Sequence, residues 1–389
     1  MNPSLLLLLA ALSVFPGLAL AVQDCDLNGE HINPDNGSTT QGKTGIMRCR
    51  DRDSGRMQRE QELRNGAYVG LVRYYDYDGR LEREFSVNEQ GNEEGRRREF
   101  SPANGAVIRD GNYRNGTPVG ISRSFYPSGQ AKRVTFYDDK GKEQAAVEYT
   151  PNGQLRDLRC ADKPVLGKDA DDAGLCGHRG GKPAVVPLFG DKGEARGRVT
   201  HQAGQLIAAE SYWENGKPKE QQETSADSQV EREFSRDGIK LKETRWRRGD
   251  TGLIKELEQE FSDRGQMTQE RRWQDGELAE EKTFYLNGQP HTADRYMLRD
   301  DLPVMESEEF HDNGKIAFKG EFLGRDRYRQ KPVGTQQRFD AEGRLRKESG
   351  YDSQGRLARE KEYDETGRVT RDDAVFEDGS RKAYAVPGK

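Results

Sequence analysis

The side chains best suited to hydrolytic or metal chemistry are spaced here in ways that serve neither. The five histidines, His31, His178, His201, His291 and His311, stand far apart. None falls in His-x-x-x-His or His-Glu-x-x-His spacing, which would set two imidazoles on one metal ion. No Gly-x-Ser-x-Gly elbow offers a serine nucleophile, and no glycine-rich loop ends in Lys-Ser/Thr to cradle a phosphate. Carboxylates are plentiful, but the 68 Asp and Glu are interspersed with 63 Lys and Arg. Cross-strand ion pairing is their expected use, rather than a glycosidase pair. The sequence predicts a protein that is not an enzyme.

The cysteines depend on compartment. The chain begins MNPSLLLLLAALSVFPGLALAVQDC, an apolar run followed by Pro16-Gly17 and then Ala19-Leu20-Ala21. That small-residue pattern predicts a cleaved signal peptide over 1–21, with the cut before Val22. The run is short for a transmembrane anchor of about 20 residues, and Val-Gln-Asp before Cys25 is too polar for a lipid-attachment site. The four cysteines of an exported chain read as two disulfides with three possible connectivities. Proximity favours Cys25–Cys49 and Cys160–Cys176, each contributing about 3 kcal/mol if unstrained.

Asp24-Cys-Asp26-Leu-Asn28-Gly29 matches the first half of a calcium-binding EF-hand loop, but Asp35 stands where the bidentate Glu belongs. No helices are expected to flank it, and Cys25 is expected in a disulfide. Asp24, Asp26 and Asn28 are the calcium candidates; a polar turn is the expected outcome, with no cofactor. Asp169-Ala-Asp171-Asp172-Ala-Gly174 is a weaker partial match.

Only 32% of the 389 residues are hydrophobic and 34% are charged, against about 45–50% and about 25% in ordinary globular chains. Such a composition alone points to disorder. The aromatic residues argue otherwise, because they recur. Phe339, Tyr351 and Tyr363 are twelve apart, each with Gly four residues on, and Phe125, Tyr137 and Tyr149 repeat the pattern. Phe189, Phe234, Phe261, Phe284 and Phe310 also carry Gly at the fourth position. A second form has Gly at the third: Tyr113 to Gly116, Trp213 to Gly216, Trp246 to Gly249 and Trp273 to Gly276. Asn-Gly and Asp-Gly suit the two positive-φ positions of a type I′ hairpin turn, and the longer form suits a type I turn closed by a glycine bulge. Twelve residues accommodate one strand of about seven plus a turn. The expected fold is therefore all-β, an antiparallel meander without helices. Its aromatics should stack along one face and its charges pair on the other. The net charge of −5 lacks the basic excess of a nucleic-acid binder.

Tyr113-Arg-Asn-Gly-Thr-Pro-Val-Gly120-Ile-Ser-Arg-Ser-Phe125-Tyr-Pro-Ser-Gly129 resembles the bacterial MORN repeat variant. The same frame recurs from Arg64 to Gly79 and from Pro332 to Gly343. The resemblance implies an elongated, twisted open sheet of hairpin repeats, in one or two lobes. It also implies a periplasmic immunity protein that binds a secreted toxin, such as a type VI secretion effector of phospholipase type, and blocks its active site or membrane-docking face. A structural or lipid-associated envelope module is the alternative. The partner is then a protein, with homo-oligomerisation left open and no transmembrane anchor expected.

Along the chain, residues 22–59 read as a disulfide-closed cap, 60–160 as repeats, 161–188 as a linker or disulfide-pinned loop, and 189–389 as a second repeat region. Residues 150–188 contain no Phe, Trp or Tyr, and a second irregular stretch runs from Gln289 to Met305. Long loops in a regular meander are natural places for specificity. Trp213, Trp246 and Trp273 are the partner-binding candidates, with stacking inside the sheet as the competing role.

Overall fold

A computed structural model of the protein describes residues 23–324 and 330–384; the signal peptide expected over 1–21 lies outside the described residues. About 60% of the chain is strand and 2% helix, and the antiparallel strands form two open sheets, neither of them closed into a barrel.

The first sheet has twelve strands. They are β1 (Gln23–Leu27), β2 (Glu30–Ile32), β3 (Gly45–Asp51), β4 (Met57–Arg64), β5 (Ala67–Tyr75), β6 (Leu81–Val87), β7 (Gly95–Phe100), β8 (Val107–Arg114), β9 (Thr117–Phe125), β10 (Ala131–Tyr137), β11 (Glu143–Tyr149) and β12 (Leu155–Arg159). The second has seventeen. They are β13 (Ala184–Phe189), β14 (Ala195–Gln202), β15 (Gln205–Tyr212), β16 (Pro218–Thr224), β17 (Ser228–Phe234), β18 (Lys240–Gly249), β19 (Gly252–Phe261), β20 (Met267–Gln274), β21 (Glu277–Phe284), β22 (Pro290–Arg299), β23 (Leu302–Phe310), β24 (Ile316–Leu323), β25 (Lys331–Phe339), β26 (Leu345–Tyr351), β27 (Leu357–Tyr363), β28 (Val369–Val375) and β29 (Arg381–Ala383). Each strand pairs with its sequence neighbour, except that β1 lies between β3 and β2. That exception brings Cys25 directly opposite Cys49.

The aromatic–glycine spacing does set the turns. Gly129, Gly141, Gly343, Gly355 and Gly367 all take positive φ. At Tyr351 and Tyr363 the pairing slips by one residue, as a glycine bulge requires. In one such turn Asp352 Oδ1 accepts the backbone N–H groups of Gln354 and Arg356, both at 2.9 Å. Asn115-Gly116 and Asp275-Gly276 form the shorter turn, with both residues at positive φ. Two expected short turns differ. Gly216 closes the longer turn, its N–H donating to Trp213 O. Gly249 ends β18 and pairs with Gly252, which moves that hairpin's tip to Asp250-Thr251. The two elements in helical conformation, α1 (Gly37–Thr40) and α2 (Asp172–Leu175), are a single turn each. Both lie in disulfide-closed segments that leave the strand register; Asn36 caps α1 by accepting from Ser38 N.

Both disulfides form with the expected pairing, Cys25–Cys49 and Cys160–Cys176. The first belongs to a compact apolar cluster of Cys25, Leu27, Ile32, Met47, Cys49 and Leu63, against which Tyr68 packs. Burial of each large side chain there contributes about 1.5–3 kcal/mol. The chain divides into two compact units. Val165–Asp171 belongs to the first unit, while Cys160–Pro164 and everything from Asp172 onward belong to the second.

Candidate functional site

The first sheet carries a ladder of alternating charge. Across seven adjacent strand pairs, directly opposed residues run Asp26, Arg48, Glu60, Arg73, Glu84, Arg98, Asp110 and Arg123. Opposed residues in an antiparallel pair share a face, so all eight side chains project to the same side. Glu60 takes hydrogen bonds from Arg48 at 3.2 Å, Arg73 at 3.3 Å and the Tyr75 hydroxyl at 2.8 Å. Arg73 also donates to Glu84 at 2.8 Å, and Arg98 donates to the other oxygen of Glu84. Arg96, beside the row, grips Asp110 with two bonds, and Arg123 ends the row by gripping Asp169.

The ladder sets the protonation states of its members. Burial works to raise the Glu60 pKa, but bonds from Tyr75, Arg73 and Arg48 outweigh it and hold the carboxyl below its usual range. Glu84 follows the same balance, with Arg73 and Arg98 overcoming burial. Burial, reinforced by the bond to Glu60, pushes the Tyr75 phenol up to about 12.

The second sheet extends the theme to both faces. One row runs Arg198, Glu210, Gln221, Arg232, Glu243, Gln259, Glu270 and Lys282. Arg198 meets Glu210 at 2.7 Å and Gln259 donates to Glu270 at 2.7 Å. Glu243 is enclosed by Arg232, Lys240 and Arg245. On the opposite face Glu258 is enclosed by Lys242, Lys255 and Arg271. Burial opposes ionisation of both glutamates, yet their cationic neighbours bring each pKa down to about 2. Ala293 continues the row, and beside it the short side chains of Ala293, Ser307 and Gly320 line an open depression of about 290 Å³, ringed by Arg295, Glu306, Glu308, Lys319 and Glu321.

The expected division into an aromatic face and a charged face is thus corrected, since charges line both. Aromatic rings do meet, Tyr74 and Phe85 stacking at 6.1 Å between centroids with 19° between planes, but arginines share the same face with them. Arg83 lies 4.2 Å from the Tyr74 ring centroid and 6.0 Å from that of Phe85, and Arg97 follows at 5.9 Å from Phe85 and 5.8 Å from Tyr113. A guanidinium satisfies a ring face and a carboxylate together, which a second ring cannot do.

The tryptophans are half-buried. Trp213 donates its Nε1–H to Phe234 O at 3.1 Å, with Lys219 and Arg236 over its ring. Lys255 opposes Trp246 across the strands and lies 4.9 Å from the Trp273 ring. Trp246 and Trp273 therefore flank one lysine, while Trp213 sits in the β15–β16 turn. All three lie half-buried in the second sheet with cations against or opposite their rings, and no other aromatic ring stacks on them among the described residues.

The calcium candidates form a strand and a turn. Asp24 accepts two bonds from Arg52, Asp26 faces Arg48 and His31 across strands, and Asn28-Gly29 takes the positive-φ turn conformation. Among the described residues no three His, Cys, Asp or Glu side chains gather as a metal site would require. The histidines remain dispersed: His201 is buried in β14, His291 packs on the Tyr285 ring, and His311 bonds to Phe339 O.

Residues 303–323 match the MORN repeat variant. The match covers β23 from its second residue, the turn that follows, and all of β24, so one hairpin is one repeat unit. It supports the MORN reading of the repeats and contains Glu306, Glu308, Lys319 and Glu321 of the depression, but not Ala293 or Arg295. No curated protein matches the chain. Similar solved structures include the TcdB2-TccC3-Cdc42 complex, at 11% identity over 89% of this chain and 20% of that one, with a TM-score of 0.19. The Photorhabdus luminescens Tc holotoxin pore follows at 10% identity, 88% and 24% coverage, and a TM-score of 0.18. A 6-phosphogluconolactonase of Bacteroides uniformis is similar at 14% identity, 88% and 91% coverage, and a TM-score of 0.14. This chain spans a quarter or less of the length of the first two chains. Likenesses at these scores carry no argument about function.

Proposed function

We propose that this chain is an exported, non-catalytic binding protein that works in the bacterial periplasm as an immunity protein. In this reading it neutralises a secreted, envelope-acting toxin of phospholipase type by covering the active-site entrance or the membrane-docking face. The observation that carries the reading is the charge ladder. Its arginines and carboxylates are already held by one another, so the surface is ordered before a partner arrives, and little side-chain entropy is lost on docking. Rows of alternating charge also steer association and reject mismatched partners. The two disulfides fit an oxidising compartment, and the MORN match fits the family in which such immunity proteins are expected.

The test takes any secreted phospholipase encoded beside the gene for this chain, together with the purified chain; a neighbourhood without one counts against the reading. A stoichiometric complex that no longer hydrolyses phospholipid vesicles is expected. Full lipase activity in the presence of excess chain contradicts the reading, and vesicle binding by the chain alone would favour a lipid-associated envelope module.

A further inference from the structure

The β22–β23 hairpin ends in an unusual tip. Its turn residues, Asp300 and Asp301, both adopt the left-handed conformation, at φ 53° and 61°, where Asn-Gly or Asp-Gly is the usual pair. Leu298 opposes Pro303, and Arg299 opposes Leu302. Because successive residues alternate faces, Leu298 and Leu302 project from opposite faces of the ribbon. They are 63% and 55% exposed, whereas Val304 and Met305, just below, are 3% exposed and anchor the ribbon in the sheet. Arg299 is drawn away from the tip by Glu321 at 2.7 Å and Glu306 at 3.1 Å. Among the described residues no salt bridge reaches Asp300 or Asp301, although Arg299 still attracts Asp300 at longer range. The tip therefore presents two carboxylates between two exposed leucines on a firmly rooted hairpin.

Its surroundings are mixed in sign. The three preceding hairpins that turn at the same edge carry Asp227, Asp250 and Asp275 at their tips, about 10 Å from one to the next by strand spacing, but Arg247 pairs with Asp275 at 3.0 Å and Arg248 donates to Ala226 O beside Asp227. The two carboxylates of the tip itself oppose an anionic lipid surface, and the same tip of a second copy would set acid against acid. The complementary occupant is a protein cleft with apolar walls and a cationic floor.

We propose that the Leu298–Leu302 tip enters such a cleft in the partner, of the kind that grips a phosphate ester. The leucines bury against the walls, and Asp300 and Asp301 take the place of the substrate's anionic group. The proposal rests on the neutralisation reading and specifies how the active site is occluded.

The test places a photo-crosslinking p-benzoylphenylalanine at position 302 of the full chain. A control places it at position 286, an exposed leucine in a turn at the opposite edge. Both chains are irradiated in the producing bacterium. The protein captured is then purified and its affinity measured against wild type, Leu298→Asp/Leu302→Asp, Asp300→Lys/Asp301→Lys and Leu286→Asp, at low and high salt. Capture from 302 is expected, with each tip variant weakening binding by about 30-fold or more, as central anchor residues do. The lysine variant should lose the salt dependence of wild type, and Leu286→Asp should bind normally. No capture from 302, or undiminished binding by both tip variants, overturns the proposal. A captured partner that proves harmless to the cell sinks the neutralisation reading but not the tip. A toxin neutralised equally by wild type and tip variants sinks the tip but not the reading.

Discussion

Arg123 donates two hydrogen bonds to Asp169, from Nε at 2.8 Å and Nη2 at 2.6 Å, across 46 positions of sequence. The pair joins the last rung of the first sheet's ladder to the segment 165–171, where Leu166 is fully buried. The bond from Arg123, opposed by partial burial, holds the Asp169 carboxyl below its usual range. A half-buried bidentate pair of this kind contributes about 1–2 kcal/mol. Asp169→Asn should therefore loosen the segment and speed tryptic cleavage after Lys168. Limited proteolysis followed by mass spectrometry reads this directly; unchanged cleavage would show that Leu166 alone holds the segment.

The buried glutamates make stability fall in acid. Glu243 and Glu258 titrate near 2 in the folded chain, against an unfolded value of about 4.3. Their contribution is fully present above that unfolded value and is lost as pH falls from there towards 2. Allowing for the partly solvated cations around them, each contributes about 2 kcal/mol. Urea midpoints measured from pH 7 to pH 2.5 should decline through this window, and Glu243→Gln should decline less steeply from a lower starting point. Parallel curves for the two proteins would contradict the assignment.

The turn glycines differ in what an added methyl group would meet. Gly367 has a φ of 79° with open space at its Cβ position, so Gly367→Ala should cost only the left-handed strain, about 1–2 kcal/mol. Gly177 has a φ of 67°, and there an added Cβ would collide with His201 O. Gly177→Ala should lower the thermal midpoint more than Gly367→Ala; equal shifts would contradict the packing of Gly177 against β14.

Much of this architecture could be read from aromatic and glycine spacing, because a positive-φ turn every dozen residues leaves little besides a meander. The ladder was harder to see, although Arg48, Glu60, Arg73, Glu84, Arg98, Asp110 and Arg123 alternate in sign at intervals of eleven to fourteen residues. The reason is the bulge. Each glycine bulge shifts the pairing by one residue, so counting alternate positions from one strand to the next assigns the wrong face. Trp246 misled for a related reason: the glycine three residues on lies within the strand, and the hairpin continues to Asp250-Thr251. The β22–β23 tip stood out only as an irregular stretch. Two aspartates in consecutive left-handed positions are too rare in turns to be anticipated from composition.

The disulfides should contribute separately. Cys160→Ala/Cys176→Ala opens a 16-residue loop and should lower the unfolding free energy by about 3 kcal/mol. The greatest loosening should fall at the β14–β15 turn, whose Gly204 N–H donates to Cys176 O. Hydrogen exchange at Ala203 and Gly204 is the direct readout, and unchanged protection there would separate the disulfide from that turn.

The most direct test of neutralisation is survival of cells that produce in the periplasm whichever secreted phospholipase gene adjoins the gene for this chain. Co-production of the exported chain should restore growth, while the same chain kept in the cytoplasm should not. Continued killing by a toxin that meets the exported, folded chain in the same compartment would contradict the account.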